Sequence, residues 1–442
     1  MSQLTTKHIA HSIIALNSER FIKLAIGFIF HVIIARKFGP STLGEISFAV
    51  SFVLIFSSIS SLGTEDITAK LLVKFPQKRK KILSELFSIR ILGGLISYFL
   101  ITISNTLFNY RNSVSFFFIQ VFGLLSFINI GAISEEYLAV IRKHSTITKL
   151  RMCGYMVGSS LKFMIVTLSL SPIWILVSTL SEDFTSKSLG TLKLLKDQKF
   201  RISFKISKFK KIVIQKSLPF VLLSFLWIAE NRLPYFFFKS TNSSQSLGLF
   251  SIAHGLIDMW FFIPITFLTS IYPILVLNHE KSLDTYKERK EIVLLLCFVL
   301  GLSLFLTCLF FSHFIIDTIY SKKYEGADAY MPWISSMYIV SFFNVARFRF
   351  FTIEKCTNQW IKLQLLFMFL YVTMLYFINY NSASAKGVAL SFYIAQIFAN
   401  ICFYKTRLIR ETSITFLKLL TNPRYTLESF SMALKNIKDL MR

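Results

Sequence analysis

The chain has 442 residues, of which 54% are hydrophobic and only 16% are charged. Soluble domains carry about 25% charged residues, so this composition indicates an integral membrane protein. The formal net charge is +26, which in a soluble protein would indicate nucleic-acid binding. The placement of the charges along the chain argues against a nucleic-acid partner.

Apolar stretches of about 20 residues, the length that crosses a bilayer, recur along the whole chain. The first contains Glu19, Arg20 and Lys23 and lacks a small-residue cleavage site, so we interpret it as a retained span and not a signal peptide. The sequence therefore predicts an all-α integral membrane protein with about twelve transmembrane helices. They are expected near residues 12–36, 43–69, 82–105, 113–141, 147–170, 172–192, 212–238, 246–277, 291–318, 330–354, 358–379 and 384–404.

The loops between these spans are strongly asymmetric in charge. One alternating set, which includes both termini, carries 35 Lys and Arg residues, and the other set carries 7. Because cytoplasmic loops are enriched in Lys and Arg, both termini are predicted to be cytoplasmic. The outer loops are short, which argues against a glycan-assembly enzyme with an outer domain.

A sequence repeat divides the chain into two halves. The motif Leu-Gly-x-x-Ser-x-Ala occurs at 43–49 and again at 247–253, each time at the start of the second span of a half. Transporters are often built from such repeats, with the substrate site between them. We predict six-helix bundles at 1–195 and 212–410 around a central cleft, a basic cytoplasmic linker at 196–211 and a cytoplasmic amphipathic tail at 411–442.

Seven cations lie inside the apolar stretches. A Lys or Arg at the bilayer centre costs about 2.5–3.5 kcal/mol, so such residues usually face a polar cavity or a partner. Cations that line a cavity would favour an anionic substrate. The seven are Arg20, Lys23, Arg90, Lys162, Arg232, Arg347 and Arg349.

Helical periodicity places many of these cations on polar faces. The candidate substrate-binding residues are Arg20, Lys23, Arg90, Lys162, Arg347, Asn17 and Glu230. Arg349 lies nearly opposite Arg347 by helical angle, so Arg347 is preferred. The alternative is that these residues form buried ion pairs with acids in the spans.

His254 and Asp258 are one helical turn apart on a polar face. Such a pair can relay protons within a membrane. A hydrogen bond between helices is the alternative explanation.

Motifs for other chemistry are missing from the sequence. It contains no Gly-Lys-Ser/Thr phosphate loop, HExxH motif or nucleophile elbow. The five cysteines have neither metal-ligand nor disulfide spacing. We therefore expect neither an enzyme nor a cofactor-binding or metal-binding protein.

The segment from Ala35 to Gly44, with its Arg-Lys-Phe-Gly-Pro core, resembles the start of bacterial polysaccharide flippases. Similar features follow at Leu62-Gly63-Thr64 with Glu65-Asp66, at 247–253 followed by Ile263-Pro264, and at 320–327. The resemblance is to the Wzx-like repeat-unit flippases of the multidrug/oligosaccharidyl-lipid/polysaccharide (MOP) superfamily, over about residues 10–405.

That resemblance implies a MATE-like fold and a flippase of the bacterial inner membrane. It implies an undecaprenyl-diphosphate-linked oligosaccharide as the anionic substrate, with a polysaccharide polymerase and a chain-length regulator as further partners besides membrane lipids. A drug or ion antiporter, for which an acidic cavity would be expected, is one alternative. A lipid II flippase, which usually has two further spans, is another, and a membrane enzyme of glycan assembly is a third.

The predicted topology can be tested by cysteine labelling in intact cells, in a variant without the native cysteines. A cysteine at Ser243, in an outer loop, should react with a membrane-impermeant reagent, whereas one at Ser207, in the basic linker, should not. Labelling at Ser207 would contradict the topology.

Overall fold

A computed structural model describes residues 3–107, 114–199, 202–204, 207–241, 243–320 and 322–422, without the side chains of residues 3–21 and of Asp66. Over these ranges the chain forms sixteen α-helices and no β-strand, which confirms the all-α prediction. The first nine helices are α1 (Gln3–Ser57), α2 (Glu65–Lys74), α3 (Arg79–Leu107), α4 (Val114–Gly123), α5 (Leu125–Ile128), α6 (Ile133–Val140), α7 (His144–Thr167), α8 (Ile173–Gln198) and α9 (Lys208–Thr241).

Seven further helices follow in the described residues. They are α10 (Ser244–Asp258), α11 (Phe262–Lys281), α12 (Leu283–Ile319), α13 (Met331–Ile353), α14 (Thr357–Ile378), α15 (Ala385–Cys402) and α16 (Arg407–Thr421). A further amphipathic helix was expected after Pro423, and that segment lies outside the described residues.

Each of the twelve predicted spans overlaps one or more of these helices. By length and composition, seven helical segments of the described chain are long and apolar enough to cross a membrane: 76–107, 114–140, 208–241, 244–281, 283–319, 357–378 and 385–402. The other predicted spans lie in α1, α7, α8 and α13. Each of these four helices carries charged residues within its apolar stretch, which lowers its hydropathy.

The predicted outer loop at 36–43 is reduced to one non-helical residue inside α1. Gly39 has φ 77° and ψ 174°, and Pro40 follows directly. Glycine adopts positive φ without steric cost, and proline is well suited to the first turn of a new helix. Residues 3–38 and 40–57 are therefore two helical segments, as the first two predicted spans require.

The second span ends earlier than predicted, because a turn at 58–64 follows α1. Leu62 and Gly63 both have positive φ, 46° and 65°. A Cβ on Gly63 would lie 2.4 Å from the carbonyl oxygen of Ser217 in α9, and one on Gly93 of α3 would lie 2.3 Å from that of Ser60. The turn is thus packed against both α3 and α9, with glycine at each close approach.

The chain divides into an N-terminal unit, residues 1–239, and a C-terminal unit, residues 240–442. This boundary lies one helix beyond the predicted basic linker at 196–211. The reason is the packing of α9 within the N-terminal unit. Lys239 forms an ion pair with Glu45 of α1, and the Phe236 ring lies 5.3 Å from the Phe48 ring, centroid to centroid.

The two copies of the repeat are similarly buried, each within its own unit. Leu43 and Ala49 are buried in the N-terminal unit, and Leu247 and Ala253 in the C-terminal unit. The second copy begins after a cap, in which the backbone NH of Ser246 donates to Ser243 Oγ at 3.3 Å. The same small and apolar positions therefore pack against neighbouring helices in both halves.

Replacement of Gly63 or Gly93 by alanine should destabilise the protein by about 1–3 kcal/mol, the usual cost of overpacking. Gly27→Ala is the matched control, because a Cβ there meets nothing within 4 Å. The measurement is the unfolding temperature of the purified protein in detergent. Equal unfolding temperatures for Gly63→Ala and Gly27→Ala would contradict the close packing of the turn.

Candidate functional site

A buried carboxylate joins two of the predicted intramembrane cations in the N-terminal unit. Glu182 of α8 lies 2.5 Å from the ammonium of Lys23 in α1 and 3.5 Å from that of Lys162 in α7. Only 9% of the Glu182 side chain is exposed, and 14% of the Lys162 side chain. The three charged groups, called here the Glu182 cluster, bring three helices together.

Small residues on α7 allow α8 to approach closely. A Cβ on Gly154 would lie 2.3 Å from the backbone oxygen of Glu182, and one on Gly158 would lie 2.9 Å from its Cβ. Tyr155, on the same helix, packs beside Lys23, whose ammonium lies 5.9 Å from the ring centroid. In the sequence Gly-Tyr-x-x-Gly, the two glycines therefore allow the close approach of α8, and the tyrosine places an aromatic ring beside Lys23.

The Glu182 cluster carries one positive charge in excess, because two ammonium groups share one carboxylate. Lys23 is the accessible member, with 51% of its side chain exposed. A half-exposed lysine beside a buried ion pair can reach an anion while Glu182 stays satisfied by Lys162. The predicted neighbours Asn17 and Arg20 lie on the same helix, but their side chains are outside the described part of the structure.

Arg90 has a different environment. Its side chain is fully buried, and its Nη2 donates to both carboxylate oxygens of Glu136 in α6, at 2.6 and 2.8 Å. Its Nε donates to Thr64 Oγ1 at 2.9 Å, in the turn that follows α1. This arrangement corresponds to the ion-pair alternative, because the guanidinium is matched by a carboxylate within the N-terminal unit.

Sequence reasoning missed Glu136 and Glu182, the acids that pair with these cations. It considered other acids of the spans and, within each helix, partners three or four residues away, whereas both pairs connect different helices. A usable signal existed, since Glu136 lies in the fourth predicted span and Glu182 in the sixth. Acidic residues in one predicted span could have been considered as partners for basic residues in another.

Glu230 is a half-buried carboxylate of α9. Among the described residues, no hydrogen bond or ion pair involves its side chain. Arg232, two residues further on, packs its guanidinium over the Tyr235 ring at 5.8 Å.

His254 and Asp258 lie on α10 and both meet Tyr338 of α13. The Tyr338 hydroxyl donates to Asp258 Oδ1 at 3.0 Å, and the ring of Tyr338 lies edge-on to His254 at 6.4 Å. His254 is buried and also stacks on Phe250 at 5.7 Å. The contact of Asp258 with Tyr338 is a hydrogen bond between helices.

The two arginines of α13 point in different directions, as their helical angles predict. Arg347 is buried and donates to the side-chain oxygens of Asn344 at 3.2 Å and Asn400 of α15 at 2.9 Å. Arg349 packs over the ring of Tyr272 in α11 at 5.6 Å. The surroundings of Arg347 lie entirely within the C-terminal unit, so this residue is considered separately below.

Sequence comparison places the chain in a family. The family model described as polysaccharide biosynthesis protein matches residues 33–329, more than half of the 442 residues. The chain belongs to this family. No individually curated protein matches it.

Solved structures show that this polysaccharide biosynthesis family member has a MATE-like fold. An inward-facing multidrug resistance MATE family transporter is 14% identical with a TM-score of 0.69, over 91% of this chain and 98% of that chain. The lipid II flippase MurJ, in an inward closed conformation, is 13% identical with a TM-score of 0.69, over 97% of this chain and 100% of that chain. These likenesses and the apolar helices establish a multi-pass membrane protein with the fold of the MOP superfamily.

A third structure with this fold is a MOP superfamily transporter from Pyrococcus furiosus. It is 14% identical with a TM-score of 0.63, over 93% of this chain and 96% of that chain. Its description reports a reverse polarity of the binding pocket and infers a different function. The charge of a pocket is thus a feature on which proteins of this fold differ.

Glu182→Gln should lower the free energy of unfolding of the protein by about 3–5 kcal/mol, the usual cost of breaking a buried ion pair. The reason is that it leaves Lys162 without a counter-charge. Adding Lys162→Met should restore part of the loss, since the buried charge is then removed as well. Asp183→Asn is the control, because Asp183 is more exposed and pairs with Lys187 on its own helix. The measurement is the unfolding temperature in detergent, and additive effects of the two substitutions would contradict the pairing.

Proposed function

We propose that this protein is a flippase that carries undecaprenyl-diphosphate-linked oligosaccharide repeat units, of O-antigen or capsule, from the inner to the outer leaflet of the bacterial plasma membrane. The observation that carries the proposal is the Glu182 cluster, with its excess positive charge and accessible Lys23, in a polysaccharide biosynthesis family member of MOP fold. A diphosphate is a compact anion for which Lys and Arg are natural partners.

In the proposed mechanism Lys23 is the first phosphate contact. Its ammonium leaves the ion pair with Glu182 and pairs with a phosphate oxygen instead. Glu182 remains paired with Lys162, so its charge stays neutralised. Arg20 lies one helical turn before Lys23 and Asn17 one turn before that, so their positions share one face of α1. Glu230 and Asn17 are proposed to hydrogen-bond sugar hydroxyls.

The excess charge also distinguishes the substrate classes. A drug or cation antiporter would need an acidic site, whereas the Glu182 cluster carries a net positive charge. The sugar and diphosphate would cross through the protein while the polyprenyl tail stays in the lipid. No catalytic step is assigned to the chain.

The proposed orientation follows from the loop charges. With both termini and the basic segment 196–211 in the cytoplasm, the substrate enters where its synthesis ends and leaves on the outer face. A polymerase and a chain-length regulator would act on the product there, and both are proposed as partners in the pathway. Coupling through His254 and Asp258 is a further proposal, in which protonation of the pair would compete with the Tyr338 hydrogen bond.

A lipid II flippase is a second candidate, because MurJ is matched over its whole length. The predicted number of spans disfavours this candidate, because about twelve spans are predicted here and a lipid II flippase usually has two more. Lipid II also carries a polyprenyl diphosphate, so the Glu182 cluster serves either substrate. The two candidates differ in the glycan, and complementation of two different strains separates them.

The test is complementation of a bacterial strain that lacks its repeat-unit flippase, with surface polysaccharide as the measurement. Lys23→Ala and Arg20→Ala should reduce export about tenfold or more at normal protein level, since a charge-assisted phosphate contact is lost. Lys23→Arg should retain export because it keeps the charge. Arg90→Ala should instead lower the protein level, since it leaves Glu136 buried without its partner.

Lys287→Ala is the control, because Lys287 is a largely exposed cation paired with Asp284 on the same helix. Normal export by Lys23→Ala and Arg20→Ala would contradict the assigned contacts. Rescue of a strain depleted of its lipid II flippase, without restoration of surface polysaccharide, would support the second candidate.

A further inference from the structure

The C-terminal unit contains a cavity of about 390 Å³ between α13, α15 and α16. It is lined mostly by apolar and aromatic side chains, among them Phe343, Ile397 and Phe416. Its volume is within the range of about 300–1,000 Å³ that is typical of small-molecule sites. Ile397 and Leu417 are more than half exposed, so the cavity opens on the outside of the unit.

Arg347 supplies the only charged group among the residues that line this cavity. Only 3% of the residue is exposed, and its described polar partners are the neutral carboxamides of Asn344 and Asn400. Its Nε is buried without a hydrogen-bond acceptor among the described residues. A buried cation normally has a counter-charge, so one negative charge is missing at this site.

Polar side chains of two helices lie together in the lining. Asn344 and Arg347 of α13, and Gln396 and Asn400 of α15, all line the cavity, and Arg347 donates to both asparagines. Ile339 and Val340 line it about two turns before Arg347 on α13. Arg347 is six residues from the end of α13, about 9 Å at 1.5 Å per residue.

The helix that closes this cavity has the properties of a membrane-surface helix. α16 contributes Ser413, Phe416, Leu417 and Leu420 to the lining, and Arg407 and Arg410 are exposed near the start of the same helix. Amphipathic helices with basic faces bind to anionic leaflets. The predicted topology places α16 at the cytoplasmic leaflet.

Ion pairs fix α16 over the cavity. Lys290 of α12 bridges Glu411 of α16 at 3.1 Å and Glu354 at 3.2 Å, and Arg407 bonds Glu411 at 2.7 Å. Burial alone would raise the pKa of Glu411, but hydrogen bonds from Arg407 and Lys290 outweigh it and lower that pKa below its usual value. Glu411 is therefore held by these cations and is not the missing counter-charge of Arg347.

We propose that this cavity binds one anionic phospholipid of the inner leaflet. Its phosphate accepts hydrogen bonds from Arg347, and one acyl chain runs along Phe343 toward Ile339 and Val340. A single guanidinium matches the single negative charge of a phosphodiester such as phosphatidylglycerol. The cavity shares no lining residue with the Glu182 cluster, and the proposal does not depend on the proposed flippase activity.

The test is lipid binding to the purified full-length protein in detergent, measured by native mass spectrometry and by the unfolding temperature during lipid titration. Phosphatidylglycerol should bind and raise the unfolding temperature more than phosphatidylcholine of the same chains. Arg347→Gln should weaken phosphatidylglycerol binding about tenfold and phosphatidylcholine binding less, because the choline cation already offsets the phosphate charge that Arg347 would contact. Arg410→Gln, which removes an exposed cation of α16 outside the cavity, should keep the preference.

Ile397→Trp provides a second variant that keeps Arg347 and fills the cavity from its open side. It should also weaken phosphatidylglycerol binding. If Arg347→Gln cannot be obtained as folded protein, Ile397→Trp still tests whether the lipid binds in the cavity. The proposal is overturned if both lipids bind the wild type equally, or if the variants that fold keep the full preference. Displacement of bound phosphatidylglycerol by undecaprenyl phosphate at much lower concentration would likewise overturn it, and would assign the cavity to the carrier lipid.

Discussion

Charge compensation inside the membrane-spanning helices governs the arrangement of this protein. Glu182 holds two lysines from α1 and α7, and Glu136 holds Arg90 from α3. Each pair connects two different helices, so the cations that make the spans unfavourable in lipid also hold those helices together. The cost of burying charge is thus offset by specific contacts between helices.

The two units compensate their buried cations in different ways. In the N-terminal unit, carboxylates neutralise the deepest cations and leave one accessible charge at Lys23. In the C-terminal unit, Arg347 is surrounded by carboxamides and by the Trp360 ring, 5.8 Å from its guanidinium. Neutral groups satisfy hydrogen bonds without cancelling the charge, so an anion from outside the protein gains more at Arg347 than at Arg90.

Hydropathy and loop charge were sufficient to predict the helices. Each of the twelve predicted spans overlaps described helices, because about 20 apolar residues in a row leave few other backbone solutions in lipid. The break after Ser57 was not predicted, since it depends on the contact of Gly63 with Ser217, 154 positions away in the chain. The partners of Arg90 and Lys162 were also missed, because contacts between two different helices leave no periodic trace in sequence. The cavity at Arg347 depends on α16, whose position is set by Lys290 and Glu411.

The membership of α9 in the N-terminal unit has a consequence for biosynthesis. Lys239 meets Glu45, and Ser217 meets the turn at Gly63, so the first unit lacks one wall until α9 has left the ribosome. Membrane insertion of the first eight helices therefore yields an incomplete unit whose glycine-lined turn is uncovered. A ribosome that pauses within the basic segment before α9 would hold the chain in that state, where chaperones and proteases of the membrane would have access to it.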